Sequence, residues 1–283
     1  MQKQVVKKRG GVLRVLLILL VILLVLLADS NLRMVTREYH LSFAELPEGF
    51  DGFRIVQLSD VHGAVYGRDN ERLLRAVSEA MPDMIVLTGD LADAETDLAE
   101  TERLVEALAA LAPVYYVSGN HEWSSGLLEE LGSLFQRHGV RYLRNEYLTL
   151  EANGDRIILA GVEDPNGWKD MEKPDELADR LREEYPEDFV LLLGHRNDWL
   201  KKYPELPVEL ILCGHAHGGI IRLPGVGGVL GTGFVLFPEH TEGVYVGETY
   251  QLLVSRGLGN STIRIPRLLN NPELVVAVLE AET

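Results

Sequence analysis

"FRIVQLSDVHG", residues 53–63, opens on an apolar run and stops abruptly at Asp60, Val61, His62 and Gly63. The run is too short for a helix and reads as a buried strand. "DNERLLRAVSEAMP" (69–82) follows, with apolar residues at helical spacing up to Pro82. The pattern then recurs. "DMIVLTGD" (83–90) ends on Asp90 and leads into the amphipathic "ETDLAETERLVEALAAL" (95–111). "PVYYVSGNHEW" (113–123) ends on Asn120, His121 and Glu122, and "SSGLLEELGSLFQRHG" (124–139) has helical spacing again. Alternating strands and helices predict βαβ units and mainly parallel strands.

The second half is richer in strands. "RIILAGVED" (156–164), "DFVLLLGH" (188–195), "VELILCGH" (208–215), "VYVGETYQLLVS" (244–255) and "ELVVAVLE" (273–280) each read as one. The one clear helix among them is "KPDELADRLREEY" (173–185). Two packed sheets flanked by helices accommodate this order, and such a sandwich is one domain.

At 283 residues with 46% hydrophobic and 25% charged residues, the chain is an ordinary globular composition with enough apolar material for a sizeable core. Its formal net charge is −16 although Lys3, Lys7, Lys8, Arg9 and Arg14 concentrate positive charge at the N-terminus. So acidic a body argues against nucleic acid as a partner, because phosphate backbones are bound by basic surfaces. The single cysteine, Cys213, excludes an internal disulfide and lies in an apolar run, as a small buried hydrophobe would. From Val15 to Ala28 the chain is uninterruptedly apolar behind that basic cluster. The run is short for a spanning helix of about 20 residues unless Val12 and Leu13 join it while Arg14 snorkels. It also fits the apolar region of a signal peptide, but no Ala-x-Ala-like cleavage site follows, which favours a retained anchor. The positive charges place the N-terminus in the cytoplasm and the body outside it.

Polar residues gather at strand ends, where open α/β sheets place their ligands. In chain order they are Asp60 and His62, Asp90 and Asp93, Asn120, His121 and Glu122, His195, and finally His215 and His217 in "GHAHGG". Five of the eight histidines fall in these turns. Each piece alone is a common turn or a satisfied histidine. Together, five imidazoles and several carboxylates beside glycines call for a cation. Imidazole with carboxylate suits Zn, Mn or Fe, whereas an all-oxygen site would suit Mg or Ca. There is no four-cysteine or Cys₂His₂ pattern for a closed structural zinc. Seven or more candidate ligands exceed one tetrahedral ion and suit two, spaced about 3.5–4 Å apart as a clamp for phosphoryl transfer.

The series "SDVHG … GD … GNHE … GH … GHAHGG" closely resembles the calcineurin-like metallophosphoesterase family, from about Phe53 to the C-terminus. The ending "SRGLGNSTIRIPRLLNNPEL" (255–274) and the hydrophobic N-terminus resemble its membrane-associated bacterial branch. The resemblance implies a four-layer αββα sandwich of two mixed β-sheets flanked by helices, with an N-terminal hydrophobic anchor helix. Residues 1–28 would be a membrane anchor or uncleaved signal segment, 29–51 a linker and 52–283 the catalytic domain. Two divalent metal ions per chain (Mn, Zn or Fe) are implied. Asp60, His62 and His217 would hold one, Asn120, His195 and His215 the other, and Asp90 would bridge them. His121 would sit beside the phosphate without binding metal and protonate the leaving oxygen, oriented by Asp93, while Asn120 helps stabilise developing charge.

The implied activity is hydrolysis of a phosphate ester, foremost a phosphodiester, by in-line attack of hydroxide held between the ions. A phosphomonoesterase or pyrophosphatase of the same fold is the alternative among enzymes. A binding module that kept the fold and lost catalysis is the alternative outside them, and it should lack ligands or His121. The anchor leaves a lipid-linked substrate open. "GVGGVLGTGFVLFPEH" (225–240) is either an apolar surface for an acyl chain or an ordinary buried hairpin. Oligomeric state has no signature in the sequence.

Overall fold

A computed structural model describes residues 2–167, 171–260 and 265–282, with side chains from residue 11 onward. Residues 261–264 of the "SRGLGNSTIRIPRLLNNPEL" segment, and the side chains of Lys3, Lys7, Lys8 and Arg9, lie outside the described part. The first half runs α1 (Gln2–Leu32), β1 (Val35–Phe43), β2 (Arg54–Leu58), α2 (Glu71–Glu79), β3 (Met84–Thr88), α3 (Leu98–Ala109), β4 (Val114–Val117), α4 (Asn120–Ser125), α5 (Leu128–His138) and β5 (Arg141–Tyr142). The second half runs β6 (Glu146–Ala152), β7 (Asp155–Gly161), α6 (Pro174–Glu184), β8 (Val190–Leu193), α7 (Trp199–Lys202), β9 (Leu210–Cys213), β10 (Ile221–Leu223), β11 (Gly227–Leu230), β12 (Gly243–Val246), β13 (Gln251–Val254) and β14 (Glu273–Ala281).

Successive side chains on a strand point to opposite faces, and here both faces are apolar. Ile55, Met84, Val86, Tyr115 and Val117 face a core shared with Leu191, Leu212 and Leu253 of the other sheet. Val56, Ile85, Leu87, Val114 and Tyr116 face a second core with Leu73 and Val77 of α2, Leu104 and Leu108 of α3, and Leu131 and Phe135 of α5. Sheets buried on both sides give the near-continuous apolar runs seen in the sequence. On the far side, Ile158, Leu192 and Ile211 pack against Leu177 and Leu181 of α6 and Trp199 of α7. The result is four layers, helices outside two sheets.

One sheet has the order β1-β14-β2-β3-β4-β5, the other β12-β13-β9-β8-β7-β6. Both are mixed. Only β14–β2 is antiparallel in the first sheet, and only β12–β13 and β6–β7 in the second. A separate two-stranded hairpin, β10–β11, follows His217.

Two expectations are corrected here, and the open alternative for residues 225–240 falls to the apolar surface. Residues 29–51, expected to be a linker, contain β1, nine residues in parallel register with β14 from Val35↔Glu273 to Phe43↔Ala281. Only Leu41 and Phe43 of β1 are buried, so its apolar signal is weak along most of its length. The stretch 244–255, read as one strand, folds back as β12 and β13 around the turn at 247–250. The segment 225–240 is a hairpin and loop, but Val226, Phe234, Val235, Leu236 and Phe237 are exposed on it rather than buried. The apolar N-terminal run belongs to a helix reaching Leu32, of which Gly11–Leu32 is long and apolar enough to cross a membrane.

Candidate metal centre

Five strand ends converge. Asp60 and His62 follow β2, Asp90 and Asp93 follow β3, Asn120 and His121 begin α4 after β4, His195 follows β8, and His215 and His217 follow β9. Three of these strands belong to one sheet and two to the other, so the site spans the carboxyl ends of both. Five of these residues hold positive φ: Asp60 (50°), His62 (47°), Asp90 (52°), His215 (68°) and His217 (47°). For a residue with a Cβ that conformation costs about 1–2 kcal/mol, and such strain persists where surrounding structure over-determines it. Two glycines make the approach possible. A Cβ on Gly119 would collide with the Asp90 carboxylate, and one on Gly214 with Ser59 Oγ and Asp60 Oδ2.

Asp60, His62, Asp90 and His217 place one potential ligand atom each within 4.8 Å of one another, as do Asp90, His195 and His215. Asp90 is common to both sets. In the first, His62 Nε2 lies 3.3 Å from His217 Nε2, and His217 Nε2 lies 3.4 Å from Asp60 Oδ1. In the second, His195 Nε2 is 3.2 Å from Asp90 Oδ2, from Asn120 Oδ1 and from His215 Nδ1. His121 enters neither set. Its backbone N–H donates to Asp90 Oδ1 (2.9 Å), and its half-buried ring stands edge-on to that of His62 with centroids 4.9 Å apart.

The residues fit divalent ions. His195 Nδ1 lies 2.9 Å from the Thr88 carbonyl, and donation there leaves the lone pair of Nε2 turned to the site. This outer-shell arrangement is typical of ligating histidines. Burial, then neighbouring positive charge, holds His215 and His217 well below the usual histidine value, as neutral donors. His195 behaves oppositely: burial disfavours its proton, but Asp90 beside it pushes its pKa up to about 10. Burial would raise the Asp90 carboxyl, but the imidazoles of His195, His62 and His121 together hold it below the ordinary carboxylate value. Asp90 thus draws a proton onto the neighbouring imidazole, a positive charge that an ion would supply instead.

One expected contact differs. Asp93, expected to orient His121, has Oδ2 3.3 Å from Nδ1 of His62 and accepts from Thr96 Oγ1 at 2.9 Å. The His62 imidazole beside it, with the Thr96 hydroxyl, holds Asp93 down to about 2. His62 and Asp93 leave adjacent parallel strands, which makes them neighbours across the sheet. Among the described residues, no hydrogen bond joins Asp93 to His121.

Two other residues, Glu122 (named above without a role) and Arg196, brace the site. Glu122, fully buried, accepts from the amides of Asp90 (3.1 Å), Ala92 (3.1 Å) and Gly119 (2.8 Å), bracing two ligand turns. Burial, with the Asp90 charge nearby, pushes its pKa up to about 7. Arg196 grips Asp164 with Nε and Nη2 (2.6 and 3.0 Å) and presents Nη1 3.1 Å from His215 Nε2. Its position beside His195 in "GHRND" was the available signal. A cavity of about 330 Å³ opens beside His195 and Arg196, lined also by Met171, Trp199 and Tyr203.

Residues 53–219, which carry every one of these ligand turns, match the family model described as calcineurin-like phosphoesterase. The chain belongs to the calcineurin-like phosphoesterase family. An uncharacterised metallophosphoesterase of Bacillus subtilis is 33% identical over 254 residues, spanning 87% of this chain and 85% of the relative. A phosphodiesterase of Escherichia coli is 29% identical, spanning 62% of this chain and 64% of the relative. A cattle (Bos taurus) transmembrane protein with a metallophosphoesterase domain is 30% identical, spanning 83% of this chain and 55% of the relative. As a calcineurin-like phosphoesterase, the chain is a phosphoric ester hydrolase dependent on divalent metal ions.

Proposed function

We propose that this phosphoesterase is a membrane-anchored phosphodiesterase with a dinuclear metal centre. The observation that carries it is the pair of donor sets sharing Asp90. Asp60, His62 and His217 hold one ion, Asn120, His195 and His215 the other, and Asp90 reaches both. Such a pair, when bound, supplies Lewis acidity and an activated water for in-line displacement at phosphorus. His121, tied through its backbone to Asp90, brings an imidazole to the site edge without being a ligand and hands a proton to the departing oxygen. Asn120 and the Asp164-braced Arg196 face the same space and bind the phosphoryl oxygens. Asp93 steadies His62. The cavity beside Arg196 receives the leaving group.

The diester reading is supported by the name of the Escherichia coli relative. Anchoring is supported by the exposed apolar face of Gly11–Leu32. An N-terminus in the cytoplasm with the catalytic domain outside is supported by the basic cluster before that helix. A lapsed binding module would be expected to lack a ligand or His121, and all are present.

The test is hydrolysis of alkyl and aryl monoesters, diesters and pyrophosphates by full-length protein in detergent, each assayed with Mn, Zn, Fe and Mg. Diesters should be cleaved fastest, with Mn, Zn or Fe, and a chelator should abolish activity. Faster cleavage of monoesters or pyrophosphates would replace the substrate class. Full activity with one ion per chain would overturn the dinuclear centre.

A further inference from the structure

The loop beyond His217 presents an exposed apolar surface on the acidic body outside α1. No Asp, Glu, Lys or Arg occurs from Leu223 to Pro238. Phe234, Leu236 and Phe237 are 62%, 67% and 64% exposed, and Val226 and Val235 are exposed beside them. The loop is nevertheless built. Gly231 N–H donates to Val235 O (2.8 Å) and Phe237 N–H to Val229 O (2.9 Å). At its base Arg222 donates to Thr241 Oγ1 (3.0 Å) and pairs with Glu242. Bulky apolar side chains on an ordered, charge-free loop mark a contact surface.

The seating of α1 identifies what covers it. Gly11–Leu32 is 22 residues, about 33 Å of helix, against a hydrocarbon core of about 30 Å. The membrane surface therefore falls at the last turn of α1. That turn has no slack between it and the body. Asn31 Nδ2 donates to Arg267 O (2.8 Å), the Arg267 amide to Asn31 Oδ1 (3.1 Å) and the Leu269 amide to Ser30 Oγ (2.8 Å). The same segment pairs with the base of the loop: Arg222 N–H donates to Leu268 O (3.0 Å) and Leu268 N–H to Ile220 O (3.2 Å). One strand spacing, about 5 Å, thus separates the base of the loop from the segment that seats the anchor.

We propose that residues 223–237 are a second membrane contact, an apolar flap that immerses in the bilayer interface beside α1. The proposal rests on the anchoring reading given above. Amphipathic segments bound in this way sink about 5–10 Å into the headgroup–acyl boundary, within reach of a loop rooted at this level. His217 lies three residues before Ile220, where the flap's base begins. The contact therefore sets the metal centre close to headgroup level and favours phosphate esters presented at the membrane surface.

Spin labels on full-length protein in phosphatidylcholine vesicles test this. Cys213 is fully buried, so single labels can be placed at Leu236→Cys on the flap, Leu20→Cys in α1, and Met81→Cys. Met81 is exposed and precedes β3, at the strand ends opposite the site. Leu236 and Leu20 should collide more with oxygen than with a water-soluble nickel complex, and Met81 the reverse. An aqueous pattern at Leu236 with a lipid pattern at Leu20 overturns the flap and leaves the anchor standing. An aqueous pattern at both overturns the anchoring and the flap together. Shielding of Leu236 from both reagents, with dipolar broadening, makes the loop an interface between copies and overturns the proposal.

Discussion

The backbone amide of His215 donates to both carboxylate oxygens of Asp60, at 3.0 Å each, across 155 residues of sequence. Both residues hold positive φ. The bond ties the turn after β9 in one sheet to the turn after β2 in the other, and Ser59 Oγ fixes the same carboxylate at 2.6 Å. Asp60 is thereby held in one orientation, as a preorganised metal ligand would be.

Asp90→Asn should be the most damaging single change, because Asp90 belongs to both donor sets. It would remove the carboxylate charge that the two sets share. Elemental analysis should show loss of metal from both sites, and kcat/KM should fall by more than the about 10–100-fold typical of an outer-shell change. Retention of a full metal complement with near-normal activity would remove Asp90 from the bridging position.

His121→Gln separates proton transfer from metal binding. Metal content should stay nearly unchanged, while the rate falls by about 10²–10⁴ on alkyl diesters, whose alkoxide needs a proton to leave. Nitrophenyl esters, whose leaving group is stable as an anion, should lose far less, read as the ratio of kcat/KM values. Equal losses on both would make His121 a phosphate-positioning group, and lost metal would make it a ligand.

For Asp93→Asn the structure expects the reverse signature. Its partner is His62, so metal affinity should weaken by about 10–100-fold, with activity restored at high metal concentration. If Asp93 acted through His121, saturating metal would not rescue it and the loss would depend on the leaving group.

Gly214→Ala forces a Cβ into Ser59 Oγ and Asp60 Oδ2. Overpacking of this kind costs about 1–3 kcal/mol, read as a fall in thermal midpoint of roughly 2–4 °C per kcal/mol, accompanied by weaker metal binding. Adding Ser59→Ala relieves the nearer collision and should recover part of the loss. An unchanged midpoint and metal affinity in the single variant would contradict so tight an approach.

Phe43→Ala tests whether β1 is part of the folded body. Phe43 is buried between the sheets, and removing such a ring costs about 3–5 kcal/mol. A linker residue would change stability by less than about 0.5 kcal/mol, so thermal unfolding in detergent distinguishes the two.

The ligand turns were legible in the sequence because each sits directly after a short apolar run, and both halves of that signal are local. Buried strands must be apolar on both faces, and a turn that aims side chains inward needs Gly, Asp, Asn or His where φ is positive. β1 was not legible, since most of "VTREYHLSF" is exposed and its register comes wholly from β14. Nor was the partner of Asp93, because the choice between His62 and His121 is made by which strand lies alongside which.

By itself the sequence determined the kinds of donor, their places at the strand ends and the apolar N-terminal helix, all consequences of periodicity and turn chemistry within a dozen residues. Tertiary structure decided the rest: the grouping of the donors around Asp90, the bracing by Glu122 and Arg196, and the exposure of Phe234, Leu236 and Phe237. An apolar loop and a buried hairpin have the same composition. Only the packing of distant segments determines whether protein covers such a loop, and here no described segment buries Phe234, Leu236 or Phe237.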